Sequence, residues 1–94
     1  SDFDVHLINC YFEVSKKDGE SLNNLTRWET NQPGNSLIPL LKGKIYEAHG
    51  EDVLAEEFFT KSKDLGNPAA SHELLRFFVT RGNLKKAKQV VRAL

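Results

Sequence analysis

The sequence predicts an all-α protein: about three stacked antiparallel helix hairpins forming a short right-handed superhelical array. Three observations carry that expectation. Apolar residues recur at three-and-four spacing, as in Leu54/Phe58, Ala55/Phe59 and the series Leu84, Ala87, Val90, Val91, Leu94. Such spacing gathers each set on one side of a helix, and no stretch alternates cleanly enough to mark a strand. Glycines stand between these stretches. The breaks also repeat: Gly50 to Gly82, Ala55 to Ala87 and Gly34 to Gly66 each span 32 residues, and Gly19 to Gly50 spans 31. A two-helix unit recurring at that interval buries its open face on the next unit, as in a solenoid.

Six helices are expected, at about 4–17, 20–31, 36–49, 51–64, 68–81 and 83–94. The first two belong to one hairpin, with Gly19 near the turn. Gln32-Pro33-Gly34-Asn35 reads as a turn, and Asn35 or Ser36 can cap the helix after it. Gly50 closes that helix, because glycine takes the left-handed conformation without a Cβ penalty. Glu51-Asp52 then place negative charge on the next first turn, where the helix dipole favours it. Asn67-Pro68 reads as a cap followed by a first helical residue, since proline lacks only an amide hydrogen that would be orphaned there. Leu74, Leu75, Phe77, Phe78 and Val79 make a wide apolar face, with His72, Glu73, Arg76 and Thr80 as its polar edge. Gly82 ends that helix and Asn83 caps the last, whose lysines lie opposite its apolar side. One domain, 1–94, therefore divides into repeats at about 4–34, 35–66 and 67–94.

Composition narrows the function classes. The chain has 94 residues, 39% hydrophobic and 28% charged, which is ordinary globular usage. The uncharged stretch Gln32–Leu41 holds two prolines and is too short to span a bilayer, so no membrane insertion is expected. A single cysteine excludes an internal disulfide framework and a multi-cysteine zinc site. With no methionine, the chain is expected to be processed or cut from something longer. The default compartment is the cytoplasm, with the periplasm or an organelle as alternatives. Thirteen basic and thirteen acidic residues cancel overall, but not locally. Residues 1–75 carry seven basic and thirteen acidic side chains, a net of −6; residues 76–94 carry six basic and none acidic, a net of +6. Arg76, Arg81, Lys85, Lys86, Lys88 and Arg92 can steer an anionic partner to that end, or simply form a solvated face.

The middle unit resembles the tetratricopeptide repeat family. Gly43-Lys44-Ile45-Tyr46, then Ala55-Glu56-Glu57-Phe58-Phe59, then Pro68 follow that family's pattern, with Gly50 at the inter-helix turn. Leu75, Phe78, Gly82, Ala87 and Val91 give a looser match in the last unit, and Gly19 and Trp28 a poor one in the first, where Asn24 replaces the small residue. Pro39 and Lys42 depart from the pattern, and the period is short of the usual 34. The resemblance implies paired helices around a concave groove that binds peptides. Independently of the family, Gly43, Ala55 and Ala87 are small where helices must approach closely, and Tyr46, Phe58 and Phe59 can fill the space between hairpins. The alternative of a plain six-helix bundle uses the same caps. Pentatricopeptide repeats, which read RNA, are a second resemblance, through Asn9-Cys10-Tyr11-Phe12 to Gly19 and Glu73-Leu74-Leu75 to Ala87. Their base-reading positions fall on Cys10, Leu41 and Glu73. Leucine and glutamate read a base edge poorly, and zero net charge attracts phosphate weakly.

Signals for chemistry are thin. His6 and Cys10 are four apart and share a helix side, but two ligands make no metal site, and neither His49 nor His72 is spaced to join them. No third group orients a Cys–His nucleophile. Glu51, Asp52, Glu56 and Glu57 need no catalytic role at a helix start. Phosphate-binding glycine loops are missing. Asn24-Leu25-Thr26 has the glycosylation pattern, yet lies within an expected helix.

A groove remains. With the first helix of each pair lining the inner face, that face carries Leu37, Leu40, Lys44 and Glu47 in the middle unit and His72, Arg76, Val79 and Thr80 in the last. The expectation is a non-enzymatic adaptor without cofactor or metal, holding a partner peptide or helix. Lys44 and Arg76 would pair its acidic groups and the leucines its apolar ones. RNA binding is the alternative. Val90, Val91 and Leu94 should be partly exposed at the end. Hence the domain is expected to continue in a longer parent or to self-associate through its C-terminal helix.

Overall fold

The structure is a computed structural model that describes residues 19–94. The expected helix at 4–17, and with it the His6/Cys10 pair, lies outside the described residues. The rest is all-α, five helices with no strand among the described residues: α1 Gly19–Asn31, α2 Leu37–Ala48, α3 Asp52–Asp64, α4 Pro68–Thr80 and α5 Leu84–Ala93. Each lies within one residue of its expected bounds. Every helix packs on the next in sequence, most extensively α2 on α3.

One turn is used three times. Gly50, Gly66 and Gly82 all have positive φ, at 76°, 94° and 73°. The Gly50 N–H donates to the Glu47 carbonyl at 3.1 Å and the Glu51 N–H to Tyr46 at 2.8 Å. Gly66 and Asn67 repeat that double bond on Lys63 and Ser62, as do Gly82 and Asn83 on Val79 and Phe78. This is the Schellman closure, which satisfies carbonyls the helix end would leave bare. The residue after each glycine is also the N-cap of the following helix. Asn67 accepts from the Ala69 N–H at 2.9 Å and Asn83 from the Lys86 N–H at 3.2 Å, whereas Glu51 makes no side-chain cap. Gly66 therefore pairs with Gly50 and Gly82 at half the 32-residue period. Gly34 is not its counterpart: its φ is not positive and it lies in the wider turn before α2. In that turn Asn35, not Ser36, accepts the Leu37 N–H, at 3.0 Å. Pro39 is buried in the first turn of α2, where no helical hydrogen bond needs its nitrogen.

The core has two parts. Leu25 of α1 packs with Ile38, Leu41 and Ile45 of α2; Leu40 joins Ala55, Phe59, Ala70, Leu74, Phe77, Phe78, Ala87 and Val90. The contact that seats α2 on α3 is Gly43 against the Phe59 ring. A Cβ at 43 would lie 2.6 Å from that ring, so only glycine lets Phe59 reach full burial, worth on the order of 2–3 kcal/mol. Phe59 then meets Phe77 of α4 edge-on, centroids 6.0 Å apart, and Phe77 meets Phe78 at 5.5 Å. Phe59 thus spans the two hairpins. Tyr46 and Phe58 stack on each other at 5.4 Å, and Tyr46 also packs against the larger core cluster. Ala55 and Ala87 are buried as expected.

Polar contacts tie the hairpins. Lys42, 4% exposed, donates to Glu29 of α1 at 3.0 Å and lies over the Phe58 ring. Lys61 of α3 donates to the same carboxylate at 3.2 Å. Ser62, fully buried, donates to the Ser36 carbonyl at 2.7 Å. Val79 is half exposed instead of joining the apolar face of α4, while Val90 is buried and only Val91 and Leu94 of the expected C-terminal set are exposed.

Gly43→Ala is expected to lower stability by about 1–3 kcal/mol through overpacking on Phe59. Gly34→Ala, which meets nothing within 4 Å, should be neutral or slightly stabilising. Urea denaturation of both variants checks this; equal losses would remove the Gly43–Phe59 contact as the seat of the hairpin.

Candidate functional site

Opposite charges 29 residues apart mark a seam between α2 and α4. Lys44 meets Glu73 at 3.0 Å. Glu47 meets Arg76 through two parallel hydrogen bonds of 3.1 and 2.5 Å, and Arg76 also reaches Glu73 at 2.8 Å. Arg81 continues the row, donating to Glu47 at 3.2 Å and to Asp52 at 2.9 Å, with its guanidinium 3.8 Å from the Phe77 centroid. Three cations and three carboxylates form one network of no net charge. Single exposed pairs contribute little, about 0–1 kcal/mol, but two-pronged arginine contacts in a network hold geometry well.

The titration behaviour follows from these contacts. Burial would raise the Glu73 carboxyl, but hydrogen bonds from Arg76 and Lys44 and their charges hold it below its ordinary 4.5. Burial likewise opposes, and Lys42 and Lys61 outweigh it, at Glu29. The Arg81 hydrogen bond holds the exposed Asp52 low. Glu47, with Glu73 next, pushes Arg76 above its already high value, and Asp52 does the same for Arg81.

The eight residues expected on the inner face fall into three groups. Leu40 is buried in the core and Leu37 half-buried against both core clusters, so these two supply packing. Lys44 and Glu47 are half-buried and engaged within the seam. His72, Arg76, Val79 and Thr80 are exposed on α4, following one another at four, three and one residues along a single stripe. Thr80 donates its hydroxyl to the Arg76 carbonyl at 2.7 Å. Val79 is 53% exposed and Arg76 keeps about half of its side chain in water. The stripe thus offers one apolar contact, one hydroxyl, one imidazole and one cation already fixed by two carboxylates.

Comparison with known proteins finds no family model, no curated protein and no solved structure that matches this chain. The site is therefore read from its own geometry. Among the described residues, no group of three or more His, Cys, Asp or Glu side chains could hold a metal ion. Nor is any helix there long and apolar enough to cross a membrane.

Sequence reasoning placed Lys44, Glu47 and Arg76 on this face and Glu73 on the polar edge of α4, but missed the pairs they form. The pattern that would have found them is the recurrence of opposite charges at 44/73, 47/76 and 52/81, one helical turn short of the 32-residue period. Asp52 stands in the first turn of α3 as expected and also binds Arg81 in the turn after α4, while Glu56 binds Lys86 of α5.

An acid whose pKa is lower in the folded chain stabilises it above the ordinary value, and that stability is lost as pH falls through the lowered one. Stability should therefore drop on acidification below about pH 4.5, as Glu29 and Glu73 take up protons. Glu29→Gln and Glu73→Gln should each flatten that acid limb when unfolding is followed by circular dichroism across pH. A limb of unchanged slope would mean these pairs add nothing.

Proposed function

We propose that this chain is a non-enzymatic protein–protein interaction module of tetratricopeptide-repeat type, a right-handed array that holds a peptide or helix of a partner on the face shared by α2 and α4. The observation that supports the reading is the α4 stripe. His72, Val79 and Thr80 are exposed, and Arg76 is oriented by Glu47 and Glu73, so the face has an apolar contact beside a preformed cation. A rigid, partly apolar surface of this kind loses little side-chain entropy when it is covered. The neutral seam adds a condition. Lys44 and Arg76 are already matched by carboxylates, so affinity here comes mainly from shape and apolar contact, with acidic partners favoured only weakly.

The RNA-binding alternative has less support. Of the base-reading positions, Cys10 lies outside the described residues, Leu41 is 5% exposed within the core, and Glu73 is occupied by Lys44 and Arg76. None of the described two offers a free edge to a nucleobase.

The test is affinity capture with the wild-type chain and with Val79→Asp, at low and high salt, with and without nuclease. Partners that survive nuclease and salt, and weaken roughly tenfold or more with Val79→Asp at unchanged helicity, support the proposal. Capture of nucleic acid that collapses as salt rises overturns it in favour of RNA.

A further inference from the structure

Helix α1 is joined to the array differently from the rest. Residues 32–36 connect it to α2, against three residues in each later turn. No left-handed glycine closes that connection, and Pro33 and Gly34 lie exposed in it. The packing of α1 is also the thinnest in the array. Among its described side chains only Leu25 is fully buried, with Leu22 and Trp28 partly buried beside it. They cover Ile38, Leu41 and Ile45, which stand at i, i+3 and i+7 on one stripe of α2. The larger core cluster contains no residue of α1, and Leu37 packs against both. One carboxylate completes the contact. Glu29 of α1 accepts from Lys42 of α2 at 3.0 Å and from Lys61 of α3 at 3.2 Å. Arg27, the cation nearest in sequence, bonds Asn24 on its own helix instead. The two lysines differ in their access to water. The Lys61 side chain is 47% exposed and that of Lys42 only 5%.

We propose that α1 is a strap and the Glu29 carboxylate its catch: when that group loses its charge, α1 leaves α2 as a unit while the four following helices stay packed. A buried ammonium without a counter-ion is far more costly than an exposed one. With Glu29 neutral, the docked strap holds Lys42 in that condition, and a swing at 32–36 returns it to water. The α2–α4 seam faces no such penalty. Lys44 and Arg76 keep 25% and 48% of their side chains exposed, so water replaces a lost carboxylate there. Phe59, Phe77 and Phe78 meanwhile hold α3 to α4 without charge. Opening lays bare the Ile38–Leu41–Ile45 stripe. Acid is the direct trigger. Burial works against the charge of Glu29 and the two lysines outweigh it, holding the carboxyl below its ordinary 4.5. Docking is therefore stabilised above that value and lost as pH falls through the lowered one, below about pH 4.5.

Trp28 is the single tryptophan of the chain and sits on the strap. Its fluorescence follows α1, whereas far-UV circular dichroism follows all the helices. On acidification of the full chain, Trp28 emission should shift at higher pH than the main loss of helicity. A small early step in the far-UV signal should accompany it, because an undocked helix of thirteen residues frays. At pH 7, Glu29→Gln should speed hydrogen exchange of the α1 amides about tenfold or more and leave those of α3 and α4 unchanged. Adding Lys42→Met should restore slow exchange, since an apolar side chain of similar length needs no counter-ion. Lys42→Met alone should keep Trp28 in place in acid until the whole chain unfolds. Glu73→Gln, on the α2–α4 seam, should not move the Trp28 transition. Coincident Trp28 and far-UV transitions in the wild-type chain, equal acceleration of exchange in α1 and α4, or no rescue by Lys42→Met would each overturn the inference.

Discussion

The contact between Gly43 and the ring of Phe59 governs the packing of this chain. With no Cβ at 43, α3 closes onto α2 until the ring touches backbone, and that depth carries Phe59 through to the far side of the pair, where it meets Phe77. One side chain thus closes a hairpin and docks the next. The second hairpin exchanges the sizes. Leu75 stands at the place of Gly43 and Val91 at that of Phe59, so bulk moves from α5 to α4 and no ring projects to receive a further helix. That exchange leaves a shallow apolar groove at the open end where the first pair has a filled junction.

Turn geometry gives the packing its regularity. Because the residue following each left-handed glycine is both the acceptor-closing position of one helix and the N-cap of the next, the linkers between α2 and α5 have almost no freedom. The three residues at 49–51, 65–67 and 81–83 each reverse the chain with the same hydrogen bonds. Short, identical reversals of this kind hold successive helices antiparallel and at constant register. The constant register in turn places charges 29 residues apart across from one another on α2 and α4.

Much of this was legible in the sequence because it is written locally. Helix ends depend on glycine, asparagine and proline within a turn of the boundary, and every described helix falls within one residue of its expected limits. The burial of Gly43, Ala55 and Ala87 followed from size and spacing alone. What was not legible depends on partners remote in sequence. Gly66 was matched to Gly34 by distance, although only φ, which local sequence sets through the Schellman closure, shows that its true counterparts are Gly50 and Gly82. Lys42 looks like an error at an apolar position until Glu29 and Lys61 are seen to meet there. On the candidate face, the four residues that helical phase grouped on α4 are exposed, but phase cannot separate the core side of α2 from its outer side, and so Leu40 read as groove lining. Phase alone could show the i,i+3 pair of Glu73 and Arg76, but not the pairs Lys44–Glu73 and Glu47–Arg76, which join two helices.

The charge asymmetry of the chain acquires a sharper meaning once partners are assigned. Six cations and no acid in residues 76–94 suggest a uniformly basic end, but half of them are neutralised by carboxylates from the preceding helices. Arg76 takes Glu47 and Glu73, Arg81 takes Glu47 and Asp52, and Lys86 takes Glu56. These three spend their charge on holding the second hairpin to the first. Lys85, Lys88 and Arg92 have no carboxylate partner among the described residues, and they are not scattered: helical spacing sets them in a row along the edge of the exposed Leu84–Val91 surface. Fields from matched pairs fall off quickly, whereas a row of like charges beside a low-dielectric wall reaches further into solvent. The basic potential that the composition announces for the whole C-terminal segment is therefore concentrated on the rim of one groove, beside Val91, which stands where the first pair has Phe59.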